Sequence, residues 1–300
     1  MESPEQFVGK SRLVRFAQAK PLTCFFLLSY AWAWTFWLVV PRITDHFAPK
    51  FSSDAFDISI FIVGAFGPTA AALITRWLTH RDLKICLLWT GWRSLLLGLG
   101  VGLAAFFAVT VLAPSLVLVK APWNAIHWSA LAHWNTYVIN YSTLLGGPVN
   151  EEPGWRGFAL PKLQQRYGPI RATVILVPLW AGWHLPLFRM QGWSSASPFQ
   201  FLLILLGIGF LLTATANLAK FGVLVAIVLH AFFNTSSAMG NAVLQDLPTR
   251  SNVMVVYTSV VFVCGTLLGL AILAAQRNLW ERTVPSEALP TLEGVTGGKS

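Results

Sequence analysis

Asn150-Glu151-Glu152-Pro153-Gly154-Trp155-Arg156-Gly157 sets two adjacent carboxylates and a guanidinium at the end of an apolar run. A charge at the centre of a membrane helix costs on the order of 2.5 to 3.5 kcal/mol on insertion scales. Such groups persist where they face a bundle interior or a wet cavity and find partners there. Two other apolar stretches supply candidates. Trp180-Ala181-Gly182-Trp183-His184 places a histidine roughly 20 Å into its span, with Trp180 one turn earlier on the same face. His230 and Asn234 are four residues apart, a spacing that stacks both side chains on one helix face. Glu152 and Arg156 share that spacing and pair if the turn between them stays helical.

Gathered at one cavity, Glu151, His184, His230 and Asn234 hold the parts of a hydrolase. A buried carboxylate can deprotonate water, and an adjacent imidazole can orient that water or share its proton. Amide and imidazole N–H groups can stabilise the oxyanion of a tetrahedral intermediate. No Ser or Cys carries a recognisable basic partner, so water is the expected nucleophile. Glu151, His184 and His230 also make a His₂Glu set for Zn²⁺ with one open position, and these residues alone leave both chemistries open. Each motif taken singly has a plainer reading, as an ion cluster at a helix end or an interhelical hydrogen bond. His46, His80, His127 and His133 fall in expected loops or interfaces and are read as solvated.

The surrounding chain is membrane-like. Of its 300 residues 55% are hydrophobic and 11% charged, against roughly 25% charged in ordinary globular domains. Stretches of about 20 residues lack any charge, the mark of transmembrane helices. Eight spans are expected, at roughly 21–40, 58–75, 94–119, 134–152, 171–190, 199–218, 221–240 and 252–275, giving an all-α, polytopic transmembrane helical bundle. The basic lead-in 1–20 is expected to be cytoplasmic, the first apolar run to be a retained helix, and the polar tail 277–300 to be disordered. Residues 158–168 interleave Phe158, Leu160, Leu163 and Tyr167 with Lys162, Gln164, Gln165 and Arg166. This pattern predicts a short interfacial helix, with Pro161 in its first turn.

With the N-terminus inside, all but five of the 21 Lys and Arg fall on the cytoplasmic side; the exceptions are Arg42, Lys50, Lys120, Arg189 and Arg250. The asymmetry predicts both termini in the cytoplasm. It also accounts for the net charge of +9 without nucleic acid. Trp89, Trp92, Trp123, Trp128 and Trp134 lie near span ends, as in an aromatic belt. Cys24, Cys86 and Cys264 form no CxxC and no even framework, which argues against a disulfide scaffold or a thiolate metal site.

Glu-Glu-x-x-x-Arg, aromatic-x-x-x-His and His-x-x-x-Asn, in that order on successive apolar segments, resemble the CPBP family. That family groups type II CAAX prenyl proteases with bacteriocin-processing and immunity (Abi) proteins. The resemblance covers about residues 146–236, within a transmembrane domain spanning 21–276. Trp180 stands where Phe is common. The resemblance implies an intramembrane endopeptidase acting on a membrane-associated protein or peptide. Glu151 and His184 would activate water, His230 and Asn234 would form the oxyanion site, and Glu152 and Arg156 would orient the first motif. Members are described both as metalloproteases, here with Zn, and as metal-free glutamate enzymes. The simple loops point to a bacterial inner membrane protein. A non-catalytic immunity or binding protein and a proton-coupled transporter are the alternatives.

Overall fold

The computed structural model describes residues 11–47, 54–86, 90–112, 115, 127–142, 147–190, 193–243 and 250–276. The expected tail 277–300 and most of the lead-in, together with Trp89 and Trp123, lie outside these. The described residues are overwhelmingly helical. A short amphipathic α1 (Arg12–Ala19), capped by Ser11, leads into α2 (Pro21–Trp34). α2 runs on through a π-helical turn (Thr35–Val39) and a last segment (Val40–Phe47). α3 (Asp54–Ala65) and α4 (Gly67–His80) follow, then α5 (Trp92–Phe107). After them come α6 (Trp134–Ser142), α7 (Pro148–Glu152) and α8 (Leu160–Trp183). α9 (Pro198–Leu218), α10 (Val223–Val243) and α11 (Arg250–Ala275) complete the bundle.

Six helical segments among the described residues are long and apolar enough to cross a membrane, and the α3–α4 pair, bent by 44°, makes a seventh. The expected fourth span, 134–152, is divided. α6 has nine residues, about 14 Å of helix at 1.5 Å per residue, less than half of a ~30 Å apolar layer. The chain then turns at Gly147, whose φ of 92° is left-handed, and Pro148 opens a new helix. Glu151 therefore begins a long helical run, Pro148–Arg189, rather than closing the preceding one.

That run is not uniform. Pro153 lacks a donor and crowds the preceding turn, and the segment Pro153–Ala159 widens into a π-helical turn whose end is marked by Leu160 N–H bonding Trp155 O. Pro161 occupies the first turn of α8, as expected, and Gly168 (φ 75°) kinks the helix beyond it. Phe158, Leu160 and Leu163 are buried, whereas Gln165 and Arg166 are exposed. Gln164, read as part of the polar face, is buried too. α7 lies between α4 and α10, and α8 packs on α9 and α2. α9 also packs along α11, where Gly207 and Gly265 let the two backbones approach. Trp92, Trp128 and Trp134 are largely exposed, in keeping with a belt at the membrane surface. His46, His80 and His133 are exposed and His127 half-buried, and the three cysteines are free thiols.

Beyond the end of α4, Asp82 clamps the buried Arg76 with both oxygens, at 2.6 Å to Nε and 2.8 Å to Nη2. The Arg76 hydrogen bonds hold the Asp82 carboxyl down to about 2. A depressed carboxylate contributes stability that is present above its unfolded value, near 3.9, and is lost as pH falls through its folded value. Asp82→Asn should therefore lower the melting temperature at neutral pH. The difference from wild type should shrink below about pH 5 and vanish only below about pH 2; thermal melts across that range check it.

Candidate active site

α7 is held from both sides. Thr69 Oγ1 of α4 donates to the Asn150 carbonyl at 2.5 Å. At the start of the helix, the N–H groups of Asn150 and Glu151 both reach the Gly147 carbonyl. A Cβ at Gly147 would run into Glu151 Oε1, so glycine is required there for space as well as for its φ. Asn150, Glu151 and Glu152 are all buried.

The two glutamates have different partners. Glu152 Oε1 accepts from Arg156 Nη1 at 2.9 Å and from His230 Nδ1 at 2.7 Å. Arg156 always carries its charge, so Glu152 serves as an ionised acceptor between two donors. The π-helical turn leaves the four-residue spacing of Glu152 and Arg156 intact. Glu151 Oε2 accepts from the Trp180 indole Nε1 at 2.8 Å and lies 4.0 Å from His184 Nε2.

His184 sits at the end of α8, which Pro186 stops. The last carbonyls of a helix lack intrahelical partners, and here side chains supply them. His184 N–H bonds Ala181 O instead of the carbonyl four residues back. The vacated Trp180 carbonyl accepts from His184 Nδ1 at 2.8 Å. A carbonyl only accepts, so Nδ1 carries the proton and the Nε2 lone pair of the neutral ring is left facing Glu151. From α2, Trp34 Nε1 donates to Trp183 O at 3.0 Å and Tyr30 Oη to Leu179 O at 2.6 Å. The imidazole is further walled by Trp183, Trp193 and Phe201.

Glu151, Trp180, His184, His230 and Asn234 line one cavity of about 790 Å³. All four expected catalytic residues therefore border the same space. Glu152 and Arg156 lie behind it, buried and paired with each other, and Arg156 stacks over the Trp180 ring at 4.0 Å. The far wall comes from Trp37 and Phe61 of the first two spans and from Met254 and Tyr257 of α11. No motif in the sequence pointed to these residues, because an apolar or aromatic residue in a wall looks like any other core position. The Glu152–His230 bond was also missed: 78 residues separate the pair, and no local pattern links them.

Glu151, His184 and His230, the set read for Zn²⁺, all border the cavity. No group of three His, Cys, Asp or Glu side chains among the described residues is placed to hold a metal ion. His230 gives Nδ1 to Glu152, the arrangement a metal-bound histidine makes with a carboxylate, so its Nε2 stays available beside Glu151 and His184 on the cavity wall.

Residues 133–236 match the family model described as type II CAAX prenyl endopeptidase Rce1-like. Over that stretch the chain is similar to this family. The match spans all three motifs, from Glu151 to Asn234. The chain is also similar to a CAAX prenyl protease 2 from Methanococcus maripaludis, with 29% identity over 114 residues. That alignment covers 34% of this chain and 41% of the relative, so the likeness spans less than half of either protein.

Proposed function

We propose that this protein is an intramembrane endopeptidase that hydrolyses a peptide bond in a membrane-associated protein or peptide. The observation that carries the reading is the 4.0 Å gap between Glu151 Oε2 and His184 Nε2 at the wall of the cavity. Both atoms are acceptors, and their separation is too long for a direct hydrogen bond. It suits a water molecule donating one proton to each. Glu151 takes the proton as the water oxygen attacks the peptide carbonyl. The C–N bond then breaks, and Glu151 returns that proton to the departing amine.

The oxyanion formed in between is stabilised by the Asn234 amide, on the same face of α10 as His230. His230 contributes a second donor only when its ring carries both protons, since Nδ1–H is already given to Glu152. No step in this sequence requires a metal, and metal content of an active preparation tests that part directly. Counted over the eight spans expected from the sequence, the Lys and Arg distribution supports both termini in the cytoplasm.

The name of the archaeal relative suggests the first substrate to try. A fluorescence-quenched peptide ending in an S-farnesylated Cys-aliphatic-aliphatic-X sequence is one probe, and the same peptide without the lipid is the other. Purified protein in detergent should cleave at least one of them, with solvent oxygen appearing in the new carboxylate. Failure on both, with the protein folded, counts against the activity.

A further inference from the structure

We propose that Trp180 is a positioning residue that holds Glu151 in register with His184, a role that rests on the hydrolytic reading above. Trp180 touches Glu151, His184, His230 and Arg156. Its Nε1–H donates to Glu151 Oε2 at 2.8 Å, and its carbonyl accepts from His184 Nδ1 at 2.8 Å. Its ring lies edge-on to His230, with centroids 5.3 Å apart, and beneath the Arg156 guanidinium at 4.0 Å. The side chain is 1% exposed, so its rotamer is fixed by packing.

The donor matters more than the ring. Glu151 presents Oε2 both to the indole and toward His184. Without the indole N–H, nothing else among the hydrogen bonds described at this carboxylate fixes the direction of that oxygen. A small rotation of the carboxyl group would widen the 4.0 Å gap that a bridging water must span. A phenylalanine in this position keeps the contacts with Arg156 and His230 but has no N–H to offer. The tryptophan thus adds a hydrogen bond to Glu151 that a phenylalanine cannot make.

The test separates the donor from the ring. Trp180→Phe, and Trp180 replaced by 3-benzothienyl-alanine, which keeps the bicyclic shape but carries sulfur in place of N–H, are compared with wild type. Both should lower kcat by about 10- to 100-fold, as expected for losing a hydrogen bond to a charged group. KM should stay close to wild type in both, and the melting temperature close to wild type in the benzothienyl variant, while Trp180→Phe, which leaves a cavity at a fully buried site, should melt lower. A ¹⁵N-tryptophan spectrum in detergent provides a readout independent of catalysis. The indole resonance missing from Trp180→Phe should move upfield in Glu151→Ala. The proposal is overturned if kcat is unchanged in the benzothienyl variant, or if the resonance ignores Glu151→Ala. A wild type that cleaves neither peptide removes the hydrolytic reading and the catalytic half of this proposal, while the resonance still reports on the contact.

Discussion

Glu151→Gln is expected to reduce peptide cleavage by about 10²- to 10⁴-fold, the usual contribution of a general base, while leaving the protein folded. Glutamine is nearly isosteric, and its carbonyl oxygen can still accept from the Trp180 indole, so the wall of the cavity is preserved. What disappears is the basic oxygen that removes a proton from water. His184→Ala should produce a loss of similar size, because Nε2 is the second acceptor facing the same gap. The same substitution discriminates the catalytic reading from a purely binding one. A protein that works by sequestering a partner keeps its biological activity with glutamine at position 151, and an endopeptidase does not. Initial rates and melting curves on the same preparations provide both numbers.

Glu152→Ala should be the most destabilising single substitution at this site. The Glu152 and Arg156 side chains are 0% and 2% exposed, so removing the carboxylate strands a guanidinium in the protein interior. Breaking a buried pair in this way costs about 3–5 kcal/mol, whereas replacing both partners by apolar groups is often close to neutral. Glu152→Met combined with Arg156→Met should therefore be more stable than either single variant. It should still be nearly inactive, because His230 loses the acceptor at 2.7 Å that sets its tautomer. Thermal unfolding in detergent orders the four proteins. If the double variant is the least stable of them, the pair is not the buried ion pair described.

The sequence and the structure agree most closely where the signal is local. Apolar stretches of span length, the four-residue spacings Glu152–Arg156, Trp180–His184 and His230–Asn234, and the proline in the first turn of α8 all depend on neighbours a few residues away. Each could be read from periodicity and charge. What was not legible depends on tertiary placement. Glu151 looked like the cytoplasmic end of a span, about 20 Å from His184 along the helix axis. The structure instead breaks the chain at Gly147 and sets α7 between α4 and α10. That break turns the carboxylate inward, and it leaves α6 as a separate short helix.

The partnership of the two carboxylates shows the same limit. Sequence spacing joined Glu152 to Arg156 but could not say that His230 would bond Glu152, or that the Trp180 N–H would select Glu151. In the sequence Trp180 reads as the aromatic position of its motif, on the face of His184; that its polar edge points at a carboxylate depends on tertiary placement. Likewise the π-helical turn at Pro153–Ala159 could be anticipated as a disturbance at proline, but not as a widened helix that keeps Arg156 over Glu152.

The central claim is that Glu151 and His184 act as one unit on a single water. A double-mutant cycle on the single-turnover rate of peptide cleavage tests it most directly, using wild type, Glu151→Gln, His184→Ala and the combined variant. Two groups that serve one proton transfer lose their effect together, so the combined variant should be no slower than the slower single variant. Losses that multiply, or single variants that cleave as fast as wild type, would contradict the account.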